Sequence, residues 1–479
     1  MKIIKTLKSY PTTFWIANSI ELFERWAWYG FYMLFANYLT RSIELGGLSF
    51  SQIEKGNIMG LGTALLYLLP IITGSIADKF GYKRVLAVSF FIYTSAFFMF
   101  PHFTSYSGVF AIYLYLALGA ALFKPIISAT IAKTTNEENS SVGFGIFYMM
   151  VNIGAFFGPL LTLVYNSEGY DLVFYISGGI VALNFLLLIF YKEPHREKSQ
   201  QSLLEMINDS FLHIVTVLKD FKFMIFLIII AGFWTMYYQL FFTLPVFIEQ
   251  WVDSSIMFQF FSENFPFIAG HYGHDGQMKA EFITNFDAMY IIIFQVFVSA
   301  LIMKWRPLNA MVTGFIVNAI GMALTFYSQN VFFLIFALLI FGIGEMMGSP
   351  KITEYIGRNA PKDKKALYMG FGFIPVFLGS YLAGKVSGIG YQTLSDKHSL
   401  VQQLANQEGF QLADGLTKQQ YFDEVAALLN MTSNELTNHL WTTYHPYNIW
   451  ILVFGIGFAA ATLLLIYNRF IIKSSSKTV

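Results

Sequence analysis

Apolar residues are grouped along this chain into twelve long stretches that are separated by polar segments. A helix needs about 20 apolar residues to cross a membrane, and most of the stretches approach that length. The sequence therefore predicts an all-α membrane protein with twelve transmembrane helices. The predicted helices lie near residues 14–40, 53–77, 85–101, 107–132, 143–165, 171–191, 223–248, 288–304, 309–327, 331–349, 367–388 and 448–472.

Positive charges predict the orientation of these helices. Most of the 30 Lys and Arg residues fall in the two termini and in every second connection, which the positive-inside rule assigns to the cytoplasm. One of these connections, residues 192–221, is polar and then amphipathic, and it separates two groups of six helices. We expect an N-terminal six-helix bundle over 1–191, a cytoplasmic connector containing a short surface helix over 192–221, and a C-terminal six-helix bundle over 222–479.

Two of the predicted outside loops are long, near residues 251–287 and 389–447. The second loop contains two capping-box spacings, Thr417 to Gln420 and Thr432 to Glu435, each of which leads into apolar residues. We expect small amphipathic helices there, packed as a lid or decoration.

Composition supports a membrane protein and excludes several other classes. The 479 residues are 56% apolar and 12% charged, with a net charge of +1. No basic stripe suggests a nucleic-acid partner, and the lack of cysteine excludes disulfides, thiolate metal sites and cysteine nucleophiles. No metal-binding cluster, serine nucleophile motif or phosphate-binding glycine loop is visible in the sequence, so we expect neither a cofactor nor enzymatic activity.

The first predicted helix contains three formal charges, each of which costs about 2.5–3.5 kcal/mol inside a membrane on insertion scales. Glu21, Glu24 and Arg25 lie on one helical face, which therefore points away from lipid. The same face carries Trp28, Tyr29 and Tyr32. Two interpretations remain open: the charges bind a ligand or protons, or they only neutralise one another and fix helix packing.

Residues 74–84, between the second and third predicted helices, resemble the loop signature of the major facilitator superfamily. The matching residues are Gly74, Asp78, Lys79, Gly81, Lys83 and Arg84. The glycines permit a tight turn and close packing, Asp78 can be satisfied at a helix end, and the cations anchor the loop to the inner surface. The resemblance implies a transporter that exposes its substrate alternately to each side of the membrane.

Short motifs on six predicted helices resemble the proton-coupled oligopeptide transporters, a family within that superfamily. They comprise Glu21, Glu24, Arg25, Trp28, Tyr29 and Gly30 in helix 1, Tyr67 and Pro70 in helix 2, Lys124 and Pro125 in helix 4, Tyr148, Asn152 and Gly154 in helix 5, Trp234 and Gln239 in helix 7, and Glu345, Ser349 and Pro350 in helix 10. Each motif is weak alone, but the combination is specific. It implies a monomeric symporter of di- or tripeptides and protons in the lipid bilayer of a bacterial inner membrane.

The resemblance also assigns roles to individual side chains. They are carboxylate binding for Arg25 and Lys124, amino-end binding for Glu345 with Asn152, pocket walls for Tyr29, Tyr67 and Trp234, and proton coupling for Glu21 and Glu24. Arginine suits a carboxylate because its guanidinium can bind bidentately, and lysine adds a movable point charge. Apart from the three charges of helix 1, Lys124 and Glu345 are the only ionisable residues expected deep within a span, and Pro125 is expected to leave carbonyls unpaired beside Lys124.

Two positions depart from the family pattern. A glutamate commonly precedes the helix 7 glutamine, and many members have an arginine seven residues after the motif arginine; here these positions are Tyr238 and Tyr32. Losing only one charge of a buried pair would leave the other charge unpaired, so it is physically reasonable that both charges are replaced together. In the family these two positions form a gate between the two halves, and here that gate is neutral. We expect Tyr32, Tyr238 and Asp78 to be gating residues.

The neutral gate keeps other functions open. The nearest alternative is a facilitator or symporter of a different small zwitterion or organic anion, with altered or absent proton coupling. A membrane receptor that has lost transport is a more distant one, for which the loop near 389–447 is the suggestive feature.

Overall fold

The computed structural model describes residues 7–136, 139–158, 161, 169–194, 202–325, 329–361 and 365–472. Two compact units can be distinguished in the chain. Unit 1 comprises Met1–Tyr32, Gly62–Ile225 and Ala360–Phe377, and unit 2 comprises Met33–Leu61, Phe226–Asn359 and Leu378–Val479. The described residues are mainly helical, and a two-stranded antiparallel hairpin, β1 (Gly273–His274) and β2 (Gln277–Met278), belongs to unit 2.

The early part of the chain supplies most of unit 1. In chain order its helices are α1 (Thr12–Thr40), α2 (Gln52–Leu68), α3 (Pro70–Phe80), α4 (Tyr82–Met99), α5 (Tyr106–Lys133), α6 (Ser140–Phe157), α7 (Tyr170–Phe190) and α8 (Leu203–Leu218). The last part of α1 and the first part of α2 belong to unit 2. Buried phenylalanine rings form part of the core of unit 1: Phe31 lies 5.5 Å from Phe97, and Phe100 stacks on Phe174 at 4.9 Å between ring centroids.

Two prolines affect the helices of unit 1 differently. The predicted single span over 53–77 is broken at Leu69, where α2 and α3 meet at an angle of 45° directly before Pro70. By contrast α5 continues through Pro125. Because proline has no N–H group, it leaves the carbonyl of Ala121, four residues earlier, without its helical partner. The hydroxyl of Thr73 donates to that carbonyl at 2.6 Å, so the unpaired acceptor expected near Lys124 exists and is satisfied from α3.

The later part of the chain supplies most of unit 2. Its helices are α9 (Phe221–Tyr237), α10 (Gln239–Phe242), α11 (Leu244–Trp251), α12 (Ser255–Asn264), α13 (Pro266–Tyr272), α14 (Ala280–Thr284), α15 (Phe286–Ile302), α16 (Pro307–Leu324), α17 (Val331–Asn359), α18 (Lys365–Phe371), α19 (Ile374–Lys385), α20 (Tyr391–Leu394), α21 (Lys397–Glu408), α22 (Lys418–Leu428), α23 (Ser433–Tyr444) and α24 (Asn448–Ile466). Of these, α18 and the first residues of α9 and α19 are counted in unit 1. A π-helical turn, Val386–Gly390, joins α19 to α20.

Helices α16 and α17 pack backbone to backbone in unit 2. A Cβ atom on Gly344 would lie 2.2 Å from the backbone nitrogen of Asn318, and one on Gly321 would lie 2.3 Å from that of Phe341. Only glycine permits such an approach. The contact fixes the axis of α17, which carries Glu345.

The polar segments outside the apolar helices have regular structure as well. Both predicted capping boxes are confirmed: Thr417 caps α22 together with Gln420, and Thr432 caps α23 together with Glu435. The connector contains the predicted short helix, α8, which starts with its own capping box at Ser202. The segment predicted as a loop over 251–287 contains short helices and the β-hairpin.

The class of all-α membrane proteins predicted from the sequence is confirmed. Among the described residues, nine helices are long and apolar enough to cross a membrane, and ten if the bent pair α2 and α3 forms one span. The total of twelve spans and the division at 192–221 stay predictions.

Candidate functional site

The three charges of α1 form one buried ion cluster in unit 1. The guanidinium of Arg25 binds Glu24 bidentately, with Nη2 donating to Oε1 at 2.6 Å and Nε to the other oxygen. The same Nε lies 3.4 Å from Glu21 Oε1. The hydroxyl of Tyr93, on α4, donates to Glu24 Oε1 at 2.7 Å. Glu24 is fully buried and Arg25 is 6% exposed, so each charge depends on its partners.

Helical spacing and one glycine explain this arrangement. Residues 21 and 25 are one helical turn apart, and Glu24 is next to Arg25 in the chain, so the guanidinium reaches both carboxylates on one face. Gly154 of α6 faces the same point: a Cβ atom there would lie 2.6 Å from the Cβ of Arg25. The close approach of α6 excludes water from that side of the arginine.

Aromatic rings and a second cation extend the cluster. The guanidinium carbon of Arg25 lies 5.9 Å from the ring centre of Tyr29, and the ammonium of Lys124 lies 5.0 Å from that of Tyr67. Lys124 is half-buried and interacts electrostatically with Glu21. The structure thus brings together in unit 1 six of the residues predicted as substrate-binding or proton-coupling: Glu21, Glu24, Arg25, Tyr29, Tyr67 and Lys124.

Asn152 is the remaining predicted substrate-binding residue of unit 1. Its side-chain amide donates to the carbonyl of Tyr148, one turn earlier in α6, at 2.8 Å. The side chain therefore engages its own helix.

In unit 2, the predicted residues Trp234 and Glu345 lie on α9 and α17. The ring of Trp234 lies 5.1 Å from that of Tyr237, and the side chain of Tyr237 hydrogen-bonds Glu345. The backbone of α9 passes close to Gly379, where a Cβ atom would lie 2.4 Å from the Cβ of Trp234. Glu345 also interacts electrostatically with Asp287 of α15.

The two tyrosines at the altered gate positions are both buried, in different units. In unit 1, Tyr32 joins a chain of hydroxyls in which its oxygen lies 2.9 Å from Thr63, and Thr63 lies 3.0 Å from Tyr113. In unit 2, Tyr238 packs against Trp234 and Phe242. Each tyrosine thus has local partners in its own unit.

Asp78, the third predicted gating residue, is exposed near the end of α3. It accepts a hydrogen bond from the hydroxyl of Tyr82 at 3.0 Å. Gly81 follows with φ of 101°, a conformation that favours glycine and that permits the turn into α4. The predicted tight turn in this motif is confirmed.

Two ionisable residues that the sequence did not single out, Asp287 and Lys55, are also buried in helices. Asp287 was assigned to an outside loop because it precedes the apolar run, but α15 begins at Phe286 and Asp287 is 4% exposed. Lys55, also assigned to the outside, is fully buried in α2, 5.2 Å from the ring centre of Tyr391. A charge next to an apolar run could have been read as part of the span, but hydropathy alone places it at the boundary.

A second ion cluster, in unit 2, was also missed. Arg41, directly after α1, binds Glu249 of α11 bidentately at 2.6 and 2.8 Å, and its Nη2 lies 3.9 Å from Glu281 of α14. Glu281 is fully buried and accepts a hydrogen bond from Asn37. Residues this far apart in sequence give no local signal of pairing.

The insertion near 389–447 is attached to the ends of α1 and α2 within unit 2. The ammonium of Lys418 donates to the backbone carbonyls of Thr40 and Phe50 at 3.0 and 2.9 Å. Burial lowers the pKa of Lys418 below its usual range. Asp396 accepts hydrogen bonds from Gln52 at 2.9 Å and Gln250 at 3.0 Å.

Metal binding has no candidate among the residues that the structure describes. No group of three or more His, Asp or Glu side chains is arranged there to hold an ion.

Comparison with known proteins identifies the class of protein. Residues 19–384 match the family model of the Major Facilitator Superfamily. The chain belongs to this superfamily, and it is accordingly a transporter and an integral membrane protein rather than an enzyme.

Individual relatives narrow the comparison. An uncharacterized MFS-type transporter, YqjV of Bacillus subtilis, is 25% identical over 345 residues, which cover 71% of this chain and 78% of the relative. Dipeptide and tripeptide permease A of Pectobacterium carotovorum is 31% identical over 188 residues, which cover 37% of this chain and 35% of the permease. The alignment with the permease thus spans about a third of its length.

A solved structure covers nearly the whole chain. A POT family transporter in complex with 5-aminolevulinic acid superposes with a TM-score of 0.70 at 15% identity, over 96% of this chain and 99% of that one. The fold is therefore that of a major facilitator transporter.

Proposed function

We propose that this protein is a symporter that moves di- and tripeptides together with protons by alternating access. The observation that carries the proposal is the buried cluster of Glu21, Glu24 and Arg25, with Lys124 close to it. A cluster with two cations can take up a carboxylate, which is the group common to the C-terminal ends of all peptides. The names of the permease relatives and the motif resemblance support the same substrate class.

Charge balance links this cluster to protons. Two carboxylates, Glu21 and Glu24, are balanced by two cations, Arg25 and Lys124. A substrate carboxylate adds one negative charge to a site that excludes water, and such a charge is costly without compensation. A proton on Glu24 restores the balance. The guanidinium of Arg25 is then no longer paired with a Glu24 carboxylate, so it can bind the substrate carboxylate bidentately instead.

The remaining predicted residues complete the proposal. Lys124 adds a second cation for the carboxylate, and Tyr29, Tyr67 and Trp234 supply aromatic walls. Glu345 binds the amino end, as the only one of the predicted substrate-binding residues that carries a negative charge. Asn152 assists it when its amide leaves the carbonyl of Tyr148. Tyr32, Tyr238 and Asp78 act at the gates.

The orientation of the transporter follows from the positive-inside pattern. We expect a monomer in a bacterial inner membrane with both termini in the cytoplasm. The bacterial relatives support this location.

A second candidate function is transport of another small zwitterion. The neutral residues Tyr32 and Tyr238 favour it, because they depart from the peptide-transporter pattern. The structural neighbour in complex with 5-aminolevulinic acid, a compound with an amine and a carboxylate, also supports this class.

Purified protein in liposomes distinguishes the two candidates. Dialanine, trialanine, alanine and 5-aminolevulinic acid are tested for thermal stabilisation and for uptake driven by an inward pH gradient. We expect stabilisation and uphill uptake with dialanine and trialanine. Response to alanine or 5-aminolevulinic acid alone would replace the peptide assignment by the second candidate, and uptake that ignores the pH gradient would remove proton coupling.

A further inference from the structure

Asp287 and Glu345 form a pair of carboxyl groups inside unit 2 for which sequence analysis gave no signal. Asp287 lies in the first turn of α15 and is 4% exposed, and Glu345 lies at the middle of α17. The two groups interact electrostatically. Gly342 lies one turn before Glu345 on the same face of α17, and a Cβ atom there would lie 3.0 Å from Asp287 Oδ1, so the Asp287 carboxyl faces this side of α17.

Each member of the pair has an oxygen atom without a partner. Asp287 Oδ1 and Glu345 Oε2 are both inaccessible to solvent, and neither has a hydrogen-bond partner in the described structure. A buried carboxylate oxygen normally accepts hydrogen bonds, since leaving it unpaired is costly. The two oxygens can therefore take up a proton or accept a hydrogen bond from a donor group.

Among the residues that the structure describes, no compensating cation lies beside the pair. The titratable groups that face it are Tyr237 of α9, which hydrogen-bonds Glu345, and Tyr290 of α15, whose hydroxyl donates to the backbone of Ile335. Glu281, on the neighbouring helix α14, is directed to Asn37 and Arg41. Neither carboxyl of the pair has an ion-pair partner among the described residues.

We propose that Asp287 and Glu345 share one proton in the substrate-free transporter, and that the ammonium group of the substrate displaces this proton. Two like charges in a buried site cannot both be ionised at low cost, so one proton held by the pair is the stable state. When the ammonium arrives, the O–H bond breaks and the proton passes to water. One positive charge then replaces another, and the net charge of the site stays constant.

The displacement step rests on the proposed function, because it requires a substrate with an amino end. The shared proton in the substrate-free protein does not rest on the proposed function. It makes the pair a second proton-binding site, distinct from Glu21 and Glu24, and it makes Asp287 a residue that selects for a cationic group.

Infrared spectroscopy of the substrate-free protein at pH 7 tests the shared proton. We expect the carbonyl band of a protonated carboxyl in the wild type, and its loss in Asp287→Asn. Glu345→Gln serves as a second variant, in which the band is lost or shifted. The control is Asp253→Asn: Asp253 is exposed, and the hydrogen bond from Ser255 holds its pKa below the usual range, so the band stays. Spectra of Asp287→Asn and Glu345→Gln that match the wild type would overturn the proposal.

Calorimetry with dialanine tests the displacement. Titrations at pH 7 in two buffers with different ionisation enthalpies give the number of protons released on binding. We expect the wild type to release one more proton for each peptide bound than Asp287→Asn, and N-acetylated dialanine, which lacks the ammonium, to release none. Equal release by both proteins would overturn the displacement step. Failure of dialanine to bind the wild type would remove the proposed function and this step together, while the infrared result would still decide the shared proton.

Discussion

The buried charges of unit 1 are compensated by opposite charges, whereas, among the described residues, the buried carboxyl pair of unit 2 is not. Glu21 and Glu24 are compensated by Arg25, with Lys124 near Glu21, and a tyrosine hydroxyl satisfies Glu24 further. Asp287 and Glu345 have no ion-pair partner among the described residues, and each has an unpaired oxygen.

The difference shows how two acidic sites in one membrane protein can take up different cations. In the proposed function, the compensated cluster takes up a proton when the substrate carboxylate arrives. The uncompensated pair would instead exchange its shared proton for the substrate ammonium. A zwitterionic substrate would then load one proton at Glu24 and unload one at the pair, so net symport requires a second proton, for which Glu21 is the remaining carboxylate of the cluster.

Removal of Arg25 is the strongest test of compensation in unit 1. We expect Arg25→Ala to reduce dialanine uptake by about 100-fold or more and to lower the free energy of unfolding by about 3–5 kcal/mol, because two buried carboxylates lose their cation. Uptake in liposomes and thermal unfolding measure the two effects. Arg25→Lys, which keeps the charge, should recover stability more than uptake. Normal uptake by Arg25→Ala would refute its role toward the carboxylate.

Neutralisation of Glu24 separates proton coupling from binding. We expect Glu24→Gln to retain exchange of labelled dialanine between the two sides and to lose accumulation driven by a pH gradient, because its side chain can no longer gain or lose the proton. Counterflow and gradient-driven uptake are measured on the same liposomes. Glu44→Gln, an exposed glutamate outside the helices of unit 1, is the control and should accumulate normally. Uphill uptake by Glu24→Gln equal to the wild type would move the proton site elsewhere.

Loss of Lys124 should have an intermediate effect. We expect Lys124→Ala to raise the concentration of dialanine needed for half-maximal uptake by about tenfold, because one of two charge-assisted contacts to the carboxylate is lost. Lys133→Ala changes an exposed cation on the same helix and should leave this concentration unchanged. The same value for Lys124→Ala and the wild type would confine Lys124 to a packing role.

The smallest effect is expected at the neutral gate position in unit 1. Tyr32→Phe removes one hydroxyl from the chain that includes Thr63 and Tyr113, and Thr63 keeps its bond to Tyr113. We expect a loss of about 1 kcal/mol in the free energy of unfolding and uptake within about twofold of the wild type. A large loss of proton-driven uptake would instead place Tyr32 on the proton path.

Sequence patterns predicted the helices better than they predicted the site. Every predicted apolar stretch overlaps a helix, because length and hydropathy determine such segments. The cluster around Arg25 was predictable as well, since its members are one turn apart in a single helix. The break at Leu69 and the continuity of α5 through Pro125 were not, because a proline alone does not tell a broken helix from one that continues, and at Pro125 the freed carbonyl is satisfied by Thr73 of a neighbouring helix.

Asp287 and Arg41 illustrate which contacts cannot be predicted from a single sequence. Both lie beside the end of an apolar run, where a charge is normally assigned to water. Their actual environments are formed by residues more than 50 positions away in the chain, such as Glu345 of α17 for Asp287 and Glu249 of α11 for Arg41. A single sequence contains no signal for contacts of this kind.

Because of the two hydrogen bonds of Lys418, the position of the insertion reports movement of the ends of α1 and α2. The ammonium of Lys418 is bound to main-chain oxygens at Thr40 and Phe50, and Asp396 of the same insertion accepts a hydrogen bond from Gln52, so the insertion is attached to the ends of α1 and α2 at more than one point. A conformational change that displaces the ends of α1 and α2 must either move α22 with them or break both hydrogen bonds of Lys418. A fluorophore on an exposed position of α22 would therefore signal each such event in real time, without a label in the membrane.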